Sequence, residues 1–196
     1  PIAQEWRAGV FAGYSRTDFH ANERSSSSNS DNYHFGVYGG RQWGNLALRL
    51  GGSYTWHDIN TDRSVDFANF SNRLKANYNA GTTQVFTELG YQIQMGQVNV
   101  EPCVNLTYAN LHTNSFKESG GAAALSSNSS TMENTFFTLG LRSSTKLGLG
   151  SMEATVHGML GWRHTFGDIT PTSKVAFAGG DAFTVNGSPI AQNAAV

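Results

Sequence analysis

Between Asn45 and His57 the chain alternates without a break. Leu46, Leu48, Leu50, Gly52, Tyr54 and Trp56 fall on one parity; Ala47, Arg49, Gly51, Ser53, Thr55 and His57 fall on the other. Successive side chains of an extended strand point to opposite faces, so this stretch has one apolar face, ending in aromatics, and one polar face. The same period of two recurs along the chain. Val85, Leu89, Tyr91 and Ile93 alternate with Gln84, Glu88, Gly90 and Gln92. Val98, Val100, Val104, Leu106 and Tyr108 alternate with Asn99, Glu101, Asn105 and Thr107. Phe137, Leu139, Leu141 and Leu147 oppose Thr138, Gly140, Arg142, Ser144 and Lys146, and Ala154, Val156, Leu160 and Trp162 oppose Glu153, Thr155, His157 and Arg163. Less regular strands are expected over residues 5–16 and 32–42, with a further one beginning near Ser188. The pattern predicts an all-β chain of about eight strands.

Two kinds of protein alternate in this way: soluble half-buried sheets and membrane barrels. In a soluble sheet the polar face is rich in Lys and Glu. Here only 14% of 196 residues are charged, against about 25% in an average soluble domain, and Gly supplies 22 positions. Mean hydropathy is nevertheless −0.35, because Ser, Thr, Asn and Gln supply the polarity. Every charge within the five clear strands lies on the polar parity. Such a face suits a narrow bore, where glycines relieve crowding and permit the coiling that closure needs. No apolar run reaches the about 18 residues of a membrane helix, but barrel strands need only about 9–11 alternating residues.

The connections alternate as well. Trp43-Gly44-Asn45, Gly96-Gln97 and Gly148-Leu149-Gly150 have the composition of tight turns. Thr17–Asp31, Asp58–Phe70, Thr113–Glu133 and Gly167–Phe183 are long, and the first three are polar. Short turns at one end and long loops at the other are the asymmetry of an up-and-down outer-membrane barrel. On this reading Leu46, Leu48, Leu50, Leu89, Leu106 and Leu160 face lipid. Trp43 at a short-turn end, and Tyr54, Trp56, Tyr108 and Trp162 toward the long-loop ends, lie at the membrane–water boundaries, where amphipathic rings collect.

Several stretches, in order along nearly the whole chain, resemble the C-terminal β-barrel translocator of bacterial autotransporters (type V secretion). Early ones are Ala12-Gly13-Tyr14-Ser15-Arg16-Thr17-Asp18-Phe19 and Tyr38-Gly39-Gly40-Arg41-Gln42-Trp43-Gly44. Later ones are Gly120-Gly121-Ala122-Ala123-Ala124-Leu125, Thr138-Leu139-Gly140-Leu141-Arg142 and Gly158–Asp168, the last leading to Ala176-Phe177-Ala178-Gly179-Gly180. The resemblance implies an up-and-down antiparallel transmembrane barrel of twelve strands, of which about eight are present, so that residues 1–196 form a single partial barrel domain. The chain begins at Pro1-Ile2-Ala3, without Met, and ends at Ala194-Ala195-Val196, without the aromatic that closes the family's last strand. It is therefore expected to lack the N-terminal passenger and the final strands. Cys103 stands where the family commonly has an aromatic. The partners implied are the domain's own passenger or linker, outer-membrane lipids and lipopolysaccharide, and the barrel-assembly machinery, with the barrel itself a monomer.

Other chemistry finds little support. A net charge of −1 offers no basic stripe to phosphates, so nucleic acid is not expected. Cys103 is alone and forms no intramolecular disulfide. His20, His34, His57, His112, His157 and His164 show no spacing suited to a metal, no phosphate loop or nucleophile elbow occurs, and no cofactor is expected. Glu88, Glu101 and Glu153 could serve acid–base catalysis, because some autotransporter barrels cut their own passenger inside the bore. The simpler expectation is that they pair with Arg49, Arg142 and Arg163 as a charge network across the bore, since buried charges need partners. Three functions remain in view: an export domain without chemical turnover; a stand-alone outer-membrane barrel, adhesin or porin-like, binding through long loops; and a soluble β protein holding an apolar ligand.

Overall fold

A computed structural model of the protein describes residues 6–21, 26–68, 70–149 and 152–196. Thirteen strands appear among them: β1 (Trp6–Ala21), β2 (Ser26–Trp43), β3 (Leu46–Phe67), β4 (Phe70–Tyr91), β5 (Ile93–Met95), β6 (Val98–Thr113), β7 (Phe116–Lys117), β8 (Leu125–Ser127), β9 (Ser130–Leu149), β10 (Met152–Gly167), β11 (Thr172–Phe177), β12 (Ala182–Asn186) and β13 (Asn193–Ala195). The main sheet runs β1-β2-β3-β4-β6-β9-β10-β13, with β5 continuing the β4 position beside β6. Every pairing in it is antiparallel, and long strands pair with their sequence neighbours. This is an up-and-down meander, with β1 and β13 as its two edges.

Two short turns have a plain local cause. Gly44 and Gly96 each open a two-residue link between paired strands, at φ +56° and +64°. A tight hairpin that follows strand twist demands positive φ there, which glycine adopts without penalty. The third expected turn, Gly148–Gly150, is described only to Leu149. Pro1–Ala3, and the first residue of the strand expected over 5–16, lie outside the described residues.

At the opposite end the structure corrects the expected loops. Thr17–Asp31 and Asp58–Phe70 are mostly strand: β1 runs on to Ala21, β2 starts at Ser26, and β3 and β4 pair as far as Phe67↔Phe70. Their polar composition suggested loop, but a twisted two-stranded ribbon needs only its backbone ladder, and both its faces can meet water. Residues 22–25 lie outside the described residues, as does Asn69. Thr113–Glu133 and Gly167–Phe183 are not free loops either. They supply β7, β8, β11 and the start of β12, which form a second sheet in the order β12-β11-β8-β7.

Register decides the faces. Arg49 pairs with Glu88, and Glu101 with Arg142, placing these four on one side. Leu48 pairs with Leu89, Leu141 with Leu160 and Val104 with Leu139 on the other. The leucine side has little covering: Leu46, Leu50, Leu89, Leu106 and Leu160 are all exposed, Leu160 by 77%. A face of this size left open in water would drive association. Among the described residues few side chains are buried; Leu74, wholly enclosed, lies where the second sheet meets β4.

Candidate functional site

On the polar side, four charges from four strands converge. Arg49 of β3 donates from Nη1 to Glu88 at 3.0 Å, and from Nη1 and Nη2 to Glu101 at 2.6 and 3.0 Å. Arg142 of β9 donates from Nη1 and Nη2 to the two oxygens of Glu88, each at 2.6 Å, and from Nη1 to Glu101 at 3.2 Å. Each carboxylate holds both guanidiniums, so the cluster is neutral. Glu88 and Glu101 are each 6% exposed, while the arginine side chains keep 38% and 35% of their surface. The acids form the floor and the arginines face outward. Charge-assisted, two-pronged contacts of this kind are the strongest hydrogen bonds a protein makes, and they offset the cost of taking carboxylates out of water.

Small neighbours make the convergence possible. A side-chain carbon at Gly90 would sit 2.6 Å from Glu101 Oε1, so the Glu101 carboxylate lies across the space Gly90 leaves. Arg142 reaches Glu88 across β6, past the pair Cys103↔Gly140, and Cys103 is buried. Gln92, itself reached by Gln42 at 3.0 Å, donates to Glu101 at 3.3 Å on the short-turn side. Toward the hairpin end the polar face continues as a hydroxyl–imidazole ladder. His34 bridges Ser15 and Thr55 at 2.9 and 3.0 Å; His57 bridges Asn32 and Thr82 at 2.6 and 2.8 Å.

Two of the six charges expected in the network do not join it. Glu153 and Arg163 share the polar face of β10 but flank Met159, the residue paired with Arg142, by six and four positions. Six and four residues of strand carry them about 20 and 13 Å away along the chain, beyond side-chain reach. Arg163 instead lies 5.8 Å from the Phe136 ring centre, and Glu153 is exposed near the turn. No group of three or more metal-ligating side chains occurs among the described residues.

Aromatics mark the leucine face at two levels. Trp43 pairs with Leu46 at the short-turn end, where it meets Trp6 edge to face and the Arg41 guanidinium lies 4.8 Å from its ring centre. Tyr54 and Trp56 stand further along β3 and are exposed; Trp162 on β10 is exposed and meets Phe137 edge to face, and Tyr108 on β6 is half-buried. Leu46 to Trp56 spans about 25 Å perpendicular to a tilted barrel's girdles, close to the height of an outer-membrane apolar band.

Sequence reasoning missed a second ion pair. Arg63 of β3 holds Glu118, Nη2 at 2.6 Å and Nε at 3.1 Å, with Glu118 8% exposed. Glu118 stands outside every alternating stretch, so nothing in the linear pattern singled it out. On the opposite face of the same hairpin, Arg73 grips Asp62 with Nε and Nη2 at 3.0 and 2.7 Å and holds that carboxyl below its usual range.

Comparison with known proteins supplies the decisive observation: the sequence pattern described as "Autotransporter beta-domain" matches residues 1–196. The chain belongs to the autotransporter beta-domain family. The fold agrees. The translocator domain of the autotransporter NalP from Neisseria meningitidis superposes with a TM-score of 0.73 at 17% identity, over 98% of this chain and 72% of that one. Two proteins of Serratia marcescens, each named extracellular serine protease, are 42% and 40% identical over 97% and 100% of this chain. The autotransporter β-domain described here spans only 18% and 19% of their lengths. Autotransporter β-domains are outer-membrane barrels of Gram-negative bacteria, and this one is an outer-membrane translocator domain, a transport module.

Proposed function

We propose that this β-domain supports export of its passenger through or beside the polar bore, and that the Arg49–Glu88–Glu101–Arg142 cluster seats the passenger segment or linker lying there. The observation carrying the reading is the orientation of the four charges. Two carboxylates are buried beneath two arginines that remain open to the bore. Guanidiniums with spare N–H groups can donate to backbone carbonyls or acidic side chains of an inserted segment, whatever its sequence. A translocator must hold such a segment without depending on its identity.

In this reading Leu46, Leu48, Leu50, Leu89, Leu106 and Leu160 meet hydrocarbon, and the aromatics Trp43, Tyr54, Trp56, Tyr108 and Trp162 mark its two boundaries. Lipids and lipopolysaccharide are the surrounding solvent, and the assembly machinery inserts the barrel as a monomer. Short turns face the periplasm and long hairpins the outside. The protease activity in the relatives' names fits a passenger better than this domain, whose charged cluster is paired within itself and performs no turnover.

The test is Arg142→Ala in the full-length protein. Conductance in planar bilayers is expected to rise as the seated segment loosens, with passenger display reduced. Unchanged conductance together with unchanged display would remove the cluster from the export route.

A further inference from the structure

The segment after β6 does not leave the sheet; it folds back against the bore side. Arg63 has the parity of Arg49 on β3, and Leu74, Ala76 and Tyr78 have that of Glu88 on β4, so all four line the outward continuation of the polar face. Residues 116–127 lie on that wall. Phe116 stacks on Tyr78 with ring centres 4.7 Å apart, and Lys75 and Ser119 exchange backbone hydrogen bonds of 2.9 and 2.8 Å. Glu118 accepts from Arg63 and from the Leu125 backbone N–H at 2.9 Å, while Arg63 also donates to the Ala123 carbonyl at 3.0 Å. Gly120, at φ +119°, passes so close that a side-chain carbon would sit 2.0 Å from the Arg73 carbonyl oxygen. From this foothold β8 pairs with β11, and β11 with β12, which carries the second sheet away from the β4 wall.

We propose that residues 116–127, extended by the β11–β12 hairpin, form a lid over the outer mouth of the bore, latched by the Arg63–Glu118 pair and opened by its release. Two backbone hydrogen bonds, one ring stack, the Arg63–Glu118 pair with its bond to the Ala123 carbonyl, and a bond from the Ala123 N–H to Asn72 Oδ1 at 3.1 Å hold the lid to β4 and β3. The barrel strands are held by ladders of 11–22 paired residues. Elements with so few contacts open locally while the ladders stay closed. The latch is a charged pair at the rim, made by a segment that must vacate the opening before an extended chain can pass. The inference rests on the outer-membrane export reading above.

Cysteine labelling on intact cells separates the two ideas. In the full-length protein with Cys103→Ser, a membrane-impermeant maleimide is applied to Asp66→Cys at the hairpin end and to Ala76→Cys beneath the lid. Asp66→Cys labels promptly in every background. Ala76→Cys labels slowly when Glu118 is present, at least tenfold faster with Glu118→Gln, and slowly again when the pair is exchanged as Arg63→Glu with Glu118→Arg. If Glu118→Gln does not reach the membrane, Phe116→Ala, which removes only the ring stack, makes the same comparison. Fast labelling of Ala76→Cys with the latch intact, or equal rates with and without it, overturns the lid. Failure of Asp66→Cys to label overturns the surface placement instead.

Discussion

Arg142 holds Glu88 end-on, with Nη1 and Nη2 each 2.6 Å from a different carboxylate oxygen, although the strands that carry them are separated by β6. Sheet neighbours meet because pairing puts them together. This pair meets only because the intervening register offers Cys103 and Gly140, and because a long arginine can lean four residues along its strand. The contact therefore ties three strands across the polar face, and it is the connection most sensitive to substitution.

Arg142→Ala leaves Arg49 as the only cation for two buried carboxylates. One bond from Arg49 to Glu88 survives, so the loss is a partial unpairing, about 2–3 kcal/mol rather than the about 3–5 of a fully orphaned charge. Urea unfolding of the detergent-solubilised full-length protein, followed by loss of heat-modifiable mobility, measures it. Combining Arg142→Ala with Glu88→Gln should cost less than the sum of the two single changes, because the second removes the charge that the first strands.

Leu50 lies midway between Trp43 and Trp56 on the outward row of β2–β3, and it is 41% exposed. A charge there sits near the centre of the apolar band. Leu50→Arg is expected to destabilise the folded barrel in lipid by about 2–4 kcal/mol, and Tyr54→Arg, near the boundary, by about 0–1 beyond the loss of the ring. Equal costs at the two sites in reversible folding into vesicles would show that this face does not meet hydrocarbon.

Gly90→Ala places a carbon 2.6 Å from a Glu101 oxygen. The carboxylate must move, which stretches its contacts with Arg49 and Gln92. The expected cost is about 1–3 kcal/mol, typical of overpacking at a filled site. The companion change Gly52→Ala meets only ordinary contacts, the nearest atom being Val85 Cγ1 at 3.4 Å, and should be nearly neutral. The same unfolding assay compares them.

Residues 1–196 expressed alone present two sheet edges, β1 and β13, and an uncovered leucine face. Unpaired edge N–H and C=O groups are not tolerated in hydrocarbon and recruit other chains in water. This segment by itself should accumulate as aggregate. Recovery of a protease-resistant, heat-modifiable monomer would show that the edges find partners within it.

The period of two in Asn45–His57, and in the four stretches like it, was enough to assign strand, face and antiparallel meander. Side-chain direction along a strand is a local property that needs no partner, which is why Leu50 and Arg49 could be placed on opposite faces from the letters alone. The polar hairpin ends were misjudged for the same local reason. Residues such as Ser26–Asp31 and Asp58–Asp66 lack an apolar parity, and the ladder that makes them strands forms only with the neighbouring chain.

By itself, then, the sequence determined which residues share a face and which face is apolar, since both follow from alternation. Tertiary structure decided which face-mates touch. Stagger between strands brings Arg49 and Arg142 each within 3.2 Å of both Glu88 and Glu101 while leaving Glu153 and Arg163 apart, and the return of the chain carries Glu118 back to Arg63 across 55 residues. Contact depends on distance along neighbouring strands and on space left by glycines, and neither is written in the parity of a single strand.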